Sequence, residues 1–201
     1  MSGKRGTPSP GRGELRVVAG RFRGRRIATL PGLEIRPTAD RVREALFSIL
    51  GERVVGARCV DCFAGTGALG IEALSRGADE VLFVESDPKA LVLLRENLAR
   101  LPHEGRARVL EADALAPRRW QAQAFPASVV LADPPYRRGL AQAFAEALGE
   151  CGALEAGGVL VIEHETELDL RSPRWVLTRR RVYGDTTLSL LVSWTPGKED
   201  M

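Results

Sequence analysis

From Arg58 onward, short apolar runs alternate with helix-like stretches, and that alternation leaves few folds open. Cys59–Phe63, Val81–Glu85, Ala107–Glu111, Val129–Ala132 and Val159–Glu163 read as buried strands. Ala68–Arg76 reads as a helix ended by Gly77, and Asp87 caps another that begins at Pro88 and is lined by Leu91, Leu94, Leu98 and Leu101. A third helix spans Leu140–Cys151, with Leu140, Phe144, Ala147 and Cys151 expected inward. Strands that alternate with helices lie parallel and connect by right-handed crossovers, which is an α/β fold. Trp175–Val182 and Thr187–Trp194 flank Gly184-Asp185 as a closing hairpin, which makes the last strand antiparallel.

The front of the chain has a different character. Leu15–Val18 and Arg25–Ala28 bracket Gly20-Arg21-Phe22-Arg23-Gly24, a β-hairpin with arginines at its tip. Pro31, Gly32 and Pro37 break the chain, and Thr38 caps a helix through Leu50 that buries Val42, Ala45, Leu46 and Ile49. The expected division is a disordered basic arm over 1–13, an extension of hairpin and helix over 14–57, an α/β domain over 58–195, and a flexible tail over 196–201.

Charge follows the same division. Residues 1–58 hold 13 Lys/Arg against 5 Asp/Glu, or +8; residues 59–201 hold 16 against 21, or −5; the sum is +3. A basic front on an acidic body points to a polyanion held on one side, with Arg21, Arg23, Arg25 and Arg26 as first candidates. No apolar stretch is long enough to span a membrane, and no signal peptide is evident. Three cysteines, an odd number, fit a reducing cytoplasm. Cys59 and Cys62 are spaced as a metal pair, but no second Cys/His pair is near, so they are expected in the core with no metal bound.

Two turns carry the chemistry. Gly65-Thr66-Gly67 follows the first sheet strand, and its glycines allow a tight bend and close approach to a ligand. Glu85 ends the next strand, where a carboxylate can accept both ribose hydroxyls, and Asp113 follows the third, placed for an adenine amine. Gly65-x-Gly67-x-x-Gly70 also matches the dinucleotide fingerprint. Asp61 beside the turn would repel a pyrophosphate and welcome a cation. S-adenosylmethionine (SAM), with a ribose, an adenine, an ammonium and no phosphate, therefore fits better than NAD. The other turn is Asp133-Pro134-Pro135-Tyr136, a stiff corner at a strand's carboxyl end, where open α/β sheets bind ligands. It presents a carboxylate, a carbonyl and a flat ring, which suit a planar base with an exocyclic NH2. His103 and His164 have no evident relay partner and are expected to be structural or solvated.

The set Asp61, Gly65-Thr66-Gly67, Glu85, Asp113 and Asp133-Pro134-Pro135-Tyr136 resembles class I SAM-dependent methyltransferases that modify exocyclic amines. Arg16–Gly20, Arg23-Gly24-Arg25, Arg36–Phe47, Asp61–Ala78 and Asp133–Leu140 together resemble the bacterial 16S ribosomal RNA guanine-N2 methyltransferase family, RsmD, over roughly residues 14–195. The resemblance implies a Rossmann-like methyltransferase sheet, mostly parallel, in a monomeric cytoplasmic enzyme. Its substrate would be 16S RNA within a small ribosomal subunit or an assembly intermediate. It implies that Asp61, Phe63, Ala64, Gly65, Thr66, Gly67, Glu85, Ser86, Asp113 and Ala114 hold SAM, and that Asp133, Pro134, Pro135 and Tyr136 are catalytic. Arg137 and Arg138 would border the pocket and touch RNA. The Asp-Pro-Pro-Tyr motif is shared with DNA adenine-N6 methyltransferases, which remain an alternative, as do an NAD-dependent dehydrogenase and a non-catalytic RNA-binding module.

Overall fold

The structure, a computed structural model, describes residues 14–29, 37–103, 105–123, 126–136, 139–165, 169 and 174–194. Outside that description lie the arm 1–13, the break at Pro31 and Gly32, Arg137 and Arg138, the tail 196–201 and the side chain of Thr38. In chain order, β1 (Glu14–Arg16) and β2 (Arg26–Ala28) form an antiparallel hairpin, and α1 (Pro37–Leu50) runs into a 3-10 turn over Gly51–Val54. Then come β3 (Arg58–Cys62), α2 (Ala68–Ser75), β4 (Glu80–Glu85), α3 (Pro88–Ala99), β5 (Ala107–Glu111), the one-turn α4 (Pro117–Trp120), β6 (Ala127–Ala132), α5 (Leu140–Cys151), β7 (Leu154–His164), β8 (Trp175–Tyr183) and β9 (Thr186–Ser193).

Seven strands make one Rossmann-like sheet in the order β5-β4-β3-β6-β7-β9-β8. Strands β3 to β7 are parallel, and β9 runs antiparallel to both β7 and β8. The closing hairpin thus inserts its second strand and leaves its first, β8, at the sheet edge. Register aligns the parallel strands at their carboxyl ends: Cys62 lies opposite Val84 and Ala132, Val84 opposite Leu110, and Ala132 opposite Ile162. The residues one step beyond, Phe63, Glu85, Glu111, Asp133 and Glu163, therefore stand in a row along one edge.

Both faces of the central strands are covered, which is why β3, β4 and β6 are buried almost throughout. One face packs Cys59, Phe83, Leu131 and Val161 under Leu46, Leu74 and Leu94 of α1, α2 and α3. The other packs Val60, Cys62, Leu82 and Val130 under Trp120 and Phe144 of α4 and α5. Cys59 and Cys62 sit in opposite layers and do not converge on one ion. Asp87 caps α3 as its sequence position suggested, accepting from Lys89 N at 2.7 Å and Ala90 N at 3.3 Å. In α5 the inward stripe is rotated from expectation: Phe144, Ala145 and Leu148 are buried, while Leu140, Ala147 and Cys151 are half-exposed.

The N-terminal hairpin is held against α2 by polar contacts. The fully buried Glu72 carboxylate accepts from Val18 N at 2.7 Å and Ala19 N at 2.9 Å, and pairs with Arg76 Nε at 2.7 Å. Val18 leaves the β1 ladder because its N–H goes to Glu72. Ser75 Oγ accepts from Phe22 N at 2.9 Å and donates to the Ala19 carbonyl, and Arg21 N donates to the Ser75 carbonyl at 2.8 Å. Gly20, at φ +81°, is required there: a Cβ would lie 1.9 Å from the Ser75 carbonyl oxygen.

Candidate active site

The row of strand ends opens on a cavity of about 870 Å³. It lies at the carboxyl edge of the parallel strands, where α/β sheets place their ligands. The glycine turn supplies Phe63, Ala64, Gly65 and Thr66; β4 and the loop after it supply Glu85 and Ser86; the loop after β5 supplies Asp113. The corner after β6 supplies Asp133, Pro134, Pro135 and Tyr136 to the same cavity. Gly67 and Ala114 do not line it: Gly67 is the buried N-cap of α2, and Ala114 packs into the layer beneath α4. Neither histidine lines it; His164 is buried with its Nε2 2.8 Å from Ser189 Oγ.

Each wall has a local cause. Phe63, expected as the last residue of a strand, instead takes φ +57°, a conformation that a bulky side chain rarely adopts. Its ring makes an edge-to-face contact with Phe144, centroids 5.2 Å apart. Its backbone turns the chain sharply into Gly65. Asp61 is buried beneath the turn and accepts from Gly70 N at 2.8 Å. Gly70 allows that contact, since a Cβ there would sit 2.3 Å from the Phe83 ring. Glu85 braces the turn from the side: Oε2 accepts from Gly65 N at 2.7 Å, and Oε1 from Ser86 N and Asp87 N, each at 2.7 Å. A carboxylate has about four lone-pair sites, so one remains for a hydroxyl.

The cavity is strongly acidic. Asp61, Glu85, Asp87, Asp113, Asp133 and Glu163 line it, and no Lys, Arg or His does among the described residues. Burial pushes the Asp61 carboxyl well up, the Gly70 N–H pulls it back, and the Asp133 and Glu85 charges push it further up. Enclosure by protein atoms raises Asp133, and the neighbouring Glu163 carboxylate raises it again. Asp133 also faces the open mouth of the cavity, and solvent there tempers the shift. A site of this charge repels a pyrophosphate and fits a cationic ligand with a ribose, so the residues present fit SAM and not NAD.

Three contributors were not read from the sequence. Glu163, beside Asp133, accepts from the Tyr136 hydroxyl, whose oxygen also lies 2.8 Å from Thr186 Oγ1. Burial and the Glu163 contact raise the Tyr136 phenol, and the residue remains 40% exposed. Nothing local in the sequence links Tyr136, Glu163 and Thr186; β9 brings Thr186 beside the end of β7. Asn97, the sole asparagine, ties the front of the chain to the glycine turn. Its Oδ1 accepts from Ala28 N at 2.9 Å, and its Nδ2 donates to the Ala28 and Thr66 carbonyls at 3.0 and 2.9 Å. A polar residue on a leucine-lined helix face was the available signal.

The hairpin arginines stand elsewhere. Their tip rests on Ser75 at the C-terminus of α2, whereas the cavity meets that helix at Ala68 and Leu69. Ser75 lies six residues beyond Leu69, so the tip is seated ~9 Å further along the helix. The Arg21 guanidinium stacks on Phe22, 4.6 Å from the ring centroid, and Arg25 Nη1 donates to the Arg100 carbonyl at 3.2 Å. Arg26 is exposed beside them. The base of the hairpin reaches the cavity through Leu15 and Thr29.

The family described as "Conserved hypothetical protein 95" matches residues 15–192. "Ribosomal RNA small subunit methyltransferase D" of Escherichia coli (strain K12) is 38% identical over 193 residues, covering 94% of this chain and 96% of the relative. The protein of the same name from Haemophilus influenzae (strain ATCC 51907 / DSM 11121 / KW20 / Rd) is 35% identical over 175 residues, covering 86% and 91%. The solved Escherichia coli protein YhhF superposes with a TM-score of 0.79 at 39% identity, covering 90% of this chain and 99% of that one. The chain therefore belongs to the conserved hypothetical protein 95 family, that of ribosomal RNA small subunit methyltransferase D, the RsmD family.

Proposed function

We propose that this protein transfers a methyl group from SAM to the exocyclic N2 of a guanine in 16S ribosomal RNA, at position 966. The observation that carries the reading is that the Gly65–Glu85 cradle and the Asp133–Tyr136 corner line one acidic cavity. The family of methyltransferases to which the chain belongs and the charge of the cavity agree on the donor. SAM supplies an electrophilic methyl group on a cationic sulfur. Glu85 would accept from its ribose, Asp113 from its adenine amine, and the acidic wall would hold its ammonium.

The protein's share of the chemistry falls on Asp133 and Pro134. A guanine N2 lone pair is delocalised into the ring and attacks poorly. The Asp133 carboxylate and the Pro134 carbonyl would accept from the NH2 and turn it out of conjugation. Proline fixes that carbonyl at both neighbouring positions, so the acceptors need no rearrangement when the base arrives. Asp133, or a water, takes the proton released. Tyr136 would stack on the flipped base, and its bonds to Glu163 and Thr186 fix where the ring stands. No metal has a part in this scheme, and the protein would act as a monomer on a small subunit or an assembly intermediate in the cytoplasm. Among the described residues no helix is long and apolar enough to cross a membrane.

The test is incubation of unmodified small subunits, and separately of duplex DNA, with labelled SAM, followed by mass spectrometry of the nucleosides. N2-methylguanosine from 16S RNA is expected. N6-methyladenine in the DNA, with no label in RNA, would establish the adenine alternative instead.

A further inference from the structure

A polyanionic substrate raises a problem that the cavity does not solve. Six carboxylates line it without a basic residue among the described ones, and their charge opposes a phosphate inside it. The arginine hairpin lies at the far end of α2. The edge strand β8 offers a second basic surface, one that leads to the reacting corner. It has a neighbour on one side only, β9, and Arg179 and Arg181 on it are exposed. Arg179 pairs in register with Leu190 and Arg181 with Leu188, both of which belong to the layer under α1. Paired residues share a face, so both guanidiniums project on the side of the sheet that carries the N-terminal extension.

The strand leads to the reacting corner. Two residues beyond Arg181, Tyr183 pairs with Thr186, whose hydroxyl meets Tyr136. At ~3.4 Å per residue, Arg181 lies ~7 Å and Arg179 ~14 Å down the strand from Tyr183. Their mutual spacing of ~7 Å matches successive phosphates of one nucleic-acid strand. Neither is in an ion pair with a carboxylate among the described residues; Arg181 Nη1 donates to the Arg180 carbonyl at 3.1 Å. The nearby acidic residue in the strand pair is Asp185, exposed in the turn. We propose that Arg179 and Arg181 of β8 hold the RNA phosphates that flank the target base, beside the methyl-transfer corner. This rests on the RNA-methyltransferase reading.

The test is the double variant Arg179→Glu/Arg181→Glu in the full chain, with Arg179→Ala/Arg181→Ala as a milder second form. Binding to unmodified 16S RNA is measured across a salt series, with SAM affinity by calorimetry as the control for folding. The variant is expected to bind SAM as the parent does and to bind RNA about tenfold more weakly, with a salt slope shallower by ~1.4–1.8, the release expected from two phosphate contacts. Parental RNA affinity and slope in both variants would overturn the proposal. So would variants that dimerise while binding RNA normally, because the arginines would then serve to keep a bare sheet edge from pairing. A parent protein that neither binds nor methylates RNA would overturn the function as well; a parent that methylates RNA beside unaffected variants overturns this inference alone.

Discussion

On the β3–β4–β5 side of the cavity, each carboxylate already accepts a backbone N–H: Asp61 from Gly70, Glu85 from Gly65, Asp87 from Lys89 and Asp113 from Leu115. On the β6–β7 side, Asp133 accepts none among the described residues, and Glu163 takes the Tyr136 hydroxyl. The first side is complete without a ligand. Its acids shape the glycine turn and present their remaining lone pairs. The second side has an acceptor waiting for a donor, which is the role an NH2 group would fill. On the proposed function, binding the cofactor and activating the base would fall to differently built walls.

Removing the waiting acceptor should have the largest effect. Asp133→Ala is expected to bind SAM normally and lose ~100-fold or more in turnover, comparable to losing one preorganised electrostatic partner. Near-normal turnover would erase the distinction between the two walls. Glu85→Ala strikes the other wall. It should weaken SAM roughly ten- to hundred-fold by calorimetry, the worth of hydrogen bonds to a charged acceptor. An unchanged affinity would remove Glu85 from the ribose and leave it as a brace for the turn. Tyr136→Ala should weaken RNA by ~1–3 kcal/mol, the worth of one stacked base, measured by RNA titration with SAM affinity as control. Loss of SAM affinity there would mean that the ring belongs to the cofactor wall.

The smallest effect is a shift of pH dependence. Asp133 is raised by enclosure and by Glu163, so its protonated form persists to higher pH than in an ordinary aspartate. Only the ionised form can accept from the NH2, so turnover should climb as pH rises through that raised value. Glu163→Gln removes one negative neighbour, leaving Asp61 on β3 as the other acid of the group, and should move the rising limb to lower pH. The same sign governs stability. A carboxyl raised by folding contributes most at low pH and loses that contribution as pH rises, so Asp133→Asn should raise the melting temperature at neutral pH. A limb that stays in place in Glu163→Gln would show that the two acids are not linked.

The two walls also differed in how plainly the residues announced them. Gly65, Glu85 and Asp113 stand at or just after the ends of three consecutive strands, so alternation alone placed them at one edge. Asp133 and Tyr136 were legible because two prolines end an apolar run. Their support was not legible, since Glu163 and Thr186 lie 27 and 50 residues from Tyr136; Glu163 meets it because β7 pairs beside β6, and Thr186 because β9 enters between β7 and β8. An alternating pattern identifies strands but not the order in which a hairpin joins a sheet. Phe63 was read as a strand residue because its side chain is apolar; its backbone is left-handed where the chain enters the glycine turn. The arginine hairpin was recognised as a unit, but its seat on α2 depends on Glu72 and Ser75, which lie more than fifty residues away.

The most direct measurement is a crystal structure with S-adenosylhomocysteine, the product that keeps the cofactor's sulfur. A ribose hydroxyl should meet Glu85, and the sulfur should point across the cavity to the Asp133 carboxylate and the Pro134 carbonyl. A ligand bound with its sulfur turned from that corner, or seated outside this cavity, would contradict methyl transfer between the two walls.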